Sequence, residues 1–310
     1  MKRTAVILSL AGLSTLAAFT AHPAAAQNTG AAATGAAATG AAVTSTASTV
    51  ATKEYGQGII FPHYLLDRAL EPNVDKSGRV NYVALKGDKN LDEYLQAVAT
   101  ADLSKFPTLP GAPKPDDKDA KPTENRNPEM VFWINAYNAH ILRTLANAYP
   151  ISSPDEVKDL DTAKVHRVAG ENWSLRDMRR KIASFDPRAL FTLTNGTLGG
   201  PLLQPIAYRF TGIDQQLENA VQTFVDDPRN VELLRMNNRV TLNSYFNEFN
   251  EAFAPNTDPK RMVGVRFLLS SYSRRRGERA YFTTNDYSID TKKSDRTLNI
   301  KSSDVAVTGS

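Results

Sequence analysis

The chain has 310 residues, of which 37 are basic and 33 acidic, with a formal net charge of +4 and no cysteine. Without a thiol there is no disulfide, no thiol nucleophile, no Cys-ligated zinc or iron–sulfur cluster, and no lipid-bearing cysteine. Setting aside Lys2 and Arg3, the only charges among the first 26 residues, leaves +2. That balance is too small to draw the protein toward nucleic acid, and no nucleic-acid partner is expected.

The first 26 residues read as a signal peptide. Lys2 and Arg3 form a basic start, an uncharged apolar run covers 5–20, and Ala24-Ala25-Ala26 supplies a cleavage site that would leave Gln27 first. An uncleaved anchor is the alternative, but the run is short for a membrane span, and no later stretch reaches the roughly 18 apolar residues one requires. The expectation is export to the periplasm or beyond. Residues 27–55 repeat small residues and bury too little apolar surface to offset the entropy of ordering, so they read as a flexible spacer.

From 56 to 291 the pattern is that of one globular domain. A helix is predicted over 61–70. A turn at 75–78 leads into a strand-like stretch at 79–83. A second helix over 91–100 spaces Leu91, Tyr94, Leu95 and Val98 on one face. Five prolines among charges make 106–127 a surface loop or insertion. The helix over 128–149 is apolar nearly all round, which places it at the centre of the core. A strand is expected at 165–168, then a helix over 174–182 opened by Ser174 with Asp177 at the capping-box position. Residues 188–194 fit strand or helix equally, and the glycines of 197–201 require a tight loop. Further helices are expected from 211 or 212 to 224, over 244–253, and over 260–273. Val231 to Leu242, with Asn237-Asn238 at its turn, reads as a hairpin. Residues 280–287 read as a closing strand, and 292–310 as a polar tail that frays. The fold class is α+β: a helix-rich single domain with a buried central helix and a small mixed or antiparallel sheet.

Several collinear segments carry a resemblance. VNYVALK at 80–86, FWINAYNA at 132–139, VAGENWSL at 168–175, DPRALFTLTNGTLGGPLL at 186–203, SYF at 244–246 and YFTTNDYSID at 281–290 together resemble the domain of unknown function 547 family. The resemblance implies a histidine just after Asp186-Pro187-Arg188 and cysteines in a loop ending Cys-Pro-Pro, an arrangement that invites thiol catalysis by analogy. Here Leu190 stands at the histidine position, Asn195 and Gly200 stand at the cysteine positions, Pro201 is kept, and Leu202 replaces the second proline.

The candidate site residues each admit a plainer reading. Asn135 and Asn138, three apart on the central helix, share a face. They either tie loop backbone to the core or orient a ligand, since an unpartnered buried amide costs about 1–3 kcal/mol. Arg188 either grips an anion or pairs with a structural carboxylate. Asn195, Gly199 and Gly200 lie in a loop that lets backbone approach a ligand but lacks a phosphate-loop ending. His63, His140 and His166 share no metal-binding spacing, and Ala84 occupies the last ligand position of the calcium-loop imitation that begins at Asn73, so no metal or cofactor is expected. Arg274, Arg275 and Arg276 read as a solvated helix end, with an anionic envelope polymer as the functional alternative. Two functions remain open. One is a non-catalytic binding or assembly domain. The other is a hydrolase or acyl-transfer enzyme built on Asn135, Asn138, Arg188 and a hydroxyl residue of 194–197.

Overall fold

The computed structural model describes residues 61–106, 109–110, 124–125 and 127–301, all within the compact unit of residues 44–310. The expected signal peptide and spacer lie outside the described residues. So does most of the proline-rich stretch, whose ends pair antiparallel as β1 (Leu109–Pro110) and β2 (Glu124–Asn125). Among the described residues no helix is long and apolar enough to cross a membrane.

The protein is a helix-rich α+β domain organised around α4 (Asn127–Ala148). This helix buries Val131, Phe132, Trp133, Ile134, Ala136 and Leu142 almost completely. Residues so placed on every side can be covered only by other elements. Three of those elements precede it: α1 (His63–Asn73), α2 (Tyr82–Lys86) and α3 (Lys89–Ala99). The expected strand at 79–83 is corrected. Val80 makes only isolated bridges, to Val74 and Ile300, and Asn81 then caps α2 by accepting from the Ala84 N–H at 2.8 Å. An Asx cap nucleates a helix locally and wins over the β-branched pattern.

Beyond α4, β3 (His166–Val168) and β4 (Glu171–Trp173) form a small antiparallel hairpin. Ser174 caps α5 (Leu175–Ala183), its hydroxyl accepting from the Asp177 N–H at 3.1 Å. The ambiguous stretch resolves as a 3-10 helix, Pro187–Thr192, opened by the Asp186 side chain. A second core gathers α6 (Ile213–Asp226), β5 (Val231–Leu234), β6 (Arg239–Asn243), α7 (Phe246–Phe253) and α8 (Val263–Tyr272). The hairpin holds, its turn carried by Asn238 at φ 45°. The basic segment from 260 is broken at Met262, φ 49°, between a 3-10 turn and α8.

The closing strand is displaced. Residues Glu278–Thr284 form α9, which buries Tyr281 and Phe282, and β7 is Ser288–Lys292, parallel to β6. The three-stranded sheet, ordered β5-β6-β7, is therefore mixed. The tail expectation is also corrected as far as residue 301: Leu298 is 2 % exposed, and the strap around it crosses the domain to pair with Val80.

Candidate ligand-binding site

The two asparagines of α4 use their amides as strand-like brackets. Asn138 donates from Nδ2 to the Thr192 carbonyl at 3.0 Å and accepts the Thr194 N–H at 3.0 Å. Asn135 does the same to a single residue, donating to the Tyr208 carbonyl at 3.0 Å and accepting its N–H at 2.9 Å. Each side chain thus satisfies a buried donor and a buried acceptor of a segment that has no ladder of its own. Between these anchors runs the glycine loop, residues 195–201.

The loop is held from its other side by the strap. Leu198 donates to the Thr297 carbonyl at 2.9 Å, Gly199 to the Asp295 carbonyl at 3.0 Å, and Asn299 to the Gly196 carbonyl at 3.0 Å. Gly199 cannot carry a side chain, because a Cβ there would meet the Ser294 hydroxyl and lie 2.7 Å from the Asp295 nitrogen. Gly200 is barred for a different reason: its Cβ would overlap Oδ1 of Asn195.

Asn195 lines a cavity of about 490 Å³. Tyr137 of α4 is on one side of it, with Leu190 from the 3-10 segment, Leu193 just after it and Phe249 of α7 supplying apolar wall. Helix α5 adds Arg176, Arg179 and Arg180, and α7 adds Glu248 and Glu251. Arg179 pairs with Asp161 at 2.7 Å. Burial disfavours its charge, but Tyr137, Asp161 and Glu248 together hold the guanidinium above its ordinary pKa, so it stays cationic. Burial pushes the Tyr137 phenol up, with Arg179 in partial opposition, and Tyr137 is neutral.

The sequence-predicted residues divide accordingly. Asn195 is at the cavity, Asn135 and Asn138 brace its surroundings, and Gly200 backs Asn195 while facing a second cavity of about 310 Å³. Arg188 stands apart. Its guanidinium is bidentate on Asp186, at 3.0 Å from Nε and 2.6 Å from Nη2, and reaches Asp214 at 2.8 Å. These partners, Asp186 foremost, raise its pKa and tie the 3-10 segment to the start of α6. The α5 arginine stripe was not singled out from sequence, although Arg176, Arg179 and Arg180 carry the i, i+3, i+4 spacing that puts them on one face.

The remaining candidates occupy structural positions. His63 lies 3.0 Å from the Tyr94 hydroxyl and 3.2 Å from Asn135 Nδ2, and burial, with Arg209, lowers its pKa to about 3. His140 sits 5.0 Å from the His166 ring and 3.2 Å from the Arg167 carbonyl; burial, then His166, lowers it to about 3. Among the described residues no group of three or more His, Asp or Glu could hold a metal. Arg274 pairs with Asp226 at 3.0 Å and Arg275 with Glu278 at 3.0 Å, while Arg276 is exposed.

Residues 122–225 match the family described as "Protein of unknown function, DUF547". That stretch is similar to the DUF547 family. It spans about a third of the chain, from just before α4 almost to the end of α6, and contains Asn135, Asn138, Arg188, Asn195, Gly199 and Gly200 but neither His63 nor the three C-terminal arginines. The DUF547 match does not reach VNYVALK at 80–86 or the segments beyond 225. Helix α7, which closes the cavity with Phe249 and Glu248, thus lies outside it. No curated protein and no solved structure matches the chain.

Proposed function

We propose that the protein is exported and that its DUF547-like region is part of a non-catalytic domain that binds a small ligand in the 490 Å³ cavity. One observation carries the binding reading. Leu190 and Asn195, which stand where the family resemblance places an imidazole and a thiol, both line that cavity. General-base activation needs nucleophile and base within about 2.6–3.2 Å of each other. Among the described residues lining the cavity there is no serine, threonine, cysteine, histidine or lysine. The rival enzyme built on Asn135 and Asn138 would have to spend amides that already hold Thr192, Thr194 and Tyr208. A cavity of this size, part apolar and part charged, suits a small amphipathic molecule.

The test starts from protein released by the producing cell, with an intact mass expected to correspond to a chain beginning at Gln27. Given a panel of ester, amide and peptide substrates, this material should show no turnover above the uncatalysed rate. Turnover that disappears in a folded Asn195→Ala variant would defeat the non-catalytic reading, and retention of residues 1–26 would defeat export.

A further inference from the structure

The geometry points to the tip of the β5–β6 hairpin, together with the turn before α9, as a surface that docks on an anionic lipid membrane. Met236 and Leu234 would enter the headgroup layer while arginines hold the lipid charges. None of these residues lines the cavity. Two segments distant in sequence make this one face. Arg235 Nη2 donates to the Gly277 carbonyl at 3.0 Å, and its guanidinium lies 5.1 Å from the centre of the Tyr281 ring. The Tyr281 hydroxyl donates to Asn238 Oδ1 at 2.9 Å, and Arg275 Nη2 reaches the Val231 carbonyl at 3.0 Å. The tip is thereby braced against the turn. Its apolar side chains nevertheless stand in water, Met236 being 100 % exposed and Leu234 38 %. A single exposed apolar residue needs no explanation, but these two stand among cations.

The charges of this face do not cancel. Residues 234–240 and 274–280 hold six arginines and one carboxylate, Glu278. Glu278 pairs with Arg275 at 3.0 Å and also feels Arg235. From outside the two segments, Asp226 pairs with Arg274 at 3.0 Å and Asp290 with Arg239 at 3.3 Å. Three carboxylates thus serve six guanidiniums. The neighbouring charges are balanced: Glu232 meets Lys292 at 3.7 Å, and Asp286 is offset by Arg266, which donates to the Tyr287 carbonyl at 2.8 Å. Arg235, Arg276 and Arg279 are left without a carboxylate of their own, and all three are exposed. That excess decides between occupants. A second copy of the chain would set cations against cations. A soluble polyanion would take the arginines and leave Met236 and Leu234 in water. An anionic bilayer offers phosphate heads to the guanidiniums and, a side chain's length below, an apolar layer to the tip.

Hydrogen–deuterium exchange of the full chain on vesicles locates the contact. On vesicles of equal parts phosphatidylglycerol and phosphatidylcholine, peptides covering 234–239 and 274–280 should gain protection. On phosphatidylcholine alone they should not. The apolar run at 5–20 can bind lipid by itself, but it reports in its own peptide. Arg276→Glu with Arg279→Glu should raise the lipid concentration for half-protection about tenfold, and added salt should act in the same direction. Lys76→Glu with Lys89→Glu, an equal change of net charge at exposed positions elsewhere on the domain, should leave it unchanged. Met236→Ser, at a wholly exposed position that no packing depends on, should raise it about threefold. Equal protection on neutral vesicles, or none at the tip on either kind, would overturn the membrane surface. So would equal protection by soluble polyphosphate with Met236→Ser without effect, which would assign the arginines to an anionic polymer instead.

Discussion

Residues 195 and 200 behave as one unit. A Cβ on Gly200 would overlap Asn195 Oδ1 and lie 2.5 Å from its Cγ, so an amide at 195 requires the absence of a side chain at 200. Restoring either residue alone to a larger or different group disturbs the other. Gly200→Ala should therefore destabilise by about 1–3 kcal/mol, the usual range for overpacking. With Asn195→Ala already present the added cost should fall by at least about 1 kcal/mol, since contacting residues are non-additive. A double-mutant cycle in urea checks this, and additive costs would show that the two do not compete for space. From sequence, the family resemblance marked both positions as substituted. It could not show that one substitution makes room for the other, because that depends on which way the Asn195 amide turns. Asn135 and Asn138 were legible as buried amides, and the main-chain partners left open in the sequence are Thr192, Thr194 and Tyr208. Those partners are 54 to 73 positions away, beyond the reach of local pattern.

Among the elements, the central helix was the plainest in the sequence because its apolar residues leave no face for water. Trp133 shows what this means energetically. It is 1 % exposed, meets Trp173 edge-on at 4.8 Å, and donates its indole N–H to Glu129 at 3.3 Å. Trp133→Ala should cost about 3–5 kcal/mol in equilibrium unfolding. A loss below about 1 kcal/mol would mean that the helix does not carry the core. Helix α9 was misread for a related reason. Tyr281 and Phe282 are adjacent and both buried, and aromatic pairs flanked by threonines raise strand propensity. What settles the helix is Gly277 at φ 74° turning the chain just before it, followed by packing against α8, a tertiary contact that outweighs propensity. The strand signal belonged to the next few residues, Ser288–Lys292, which take their register from β6.

At the scale of the whole molecule, two buried imidazoles give stability a dependence on acidity. His63 and His140 are held neutral, each with a pKa of about 3 in the fold against the ordinary 6.5. Their contribution is complete above pH 6.5. Between 6.5 and 3 the unfolded chain binds protons that the folded one refuses, so stability falls as pH falls. At pH 4.5 the loss should be about 2–3 kcal/mol for each ring. Urea unfolding at pH 7 and at pH 4.5 measures it directly. A stability that does not change over this interval would show that the rings are not excluded from protonation.

The strap at 294–301 reads as polar tail in the sequence because only Leu298 and Ile300 are strongly apolar, and its hold on the domain is made by backbone atoms together with the side chains of Arg296, which reaches Asp155 and Tyr245, and Asn299, which accepts from the Tyr82 hydroxyl at 2.7 Å. That arrangement sets an order of events. The loop that positions Asn195 takes its carbonyl and amide partners from Asp295, Thr297 and Asn299, and Val80, near the other end of the domain, takes its own from Asn299. As the chain is synthesised, the central helix and its neighbours can collapse early, but the cavity wall has nothing to close against until some hundred residues later. The loop that carries Asn195 is therefore braced only once residues 294–301 have been made, about a hundred positions after the loop itself.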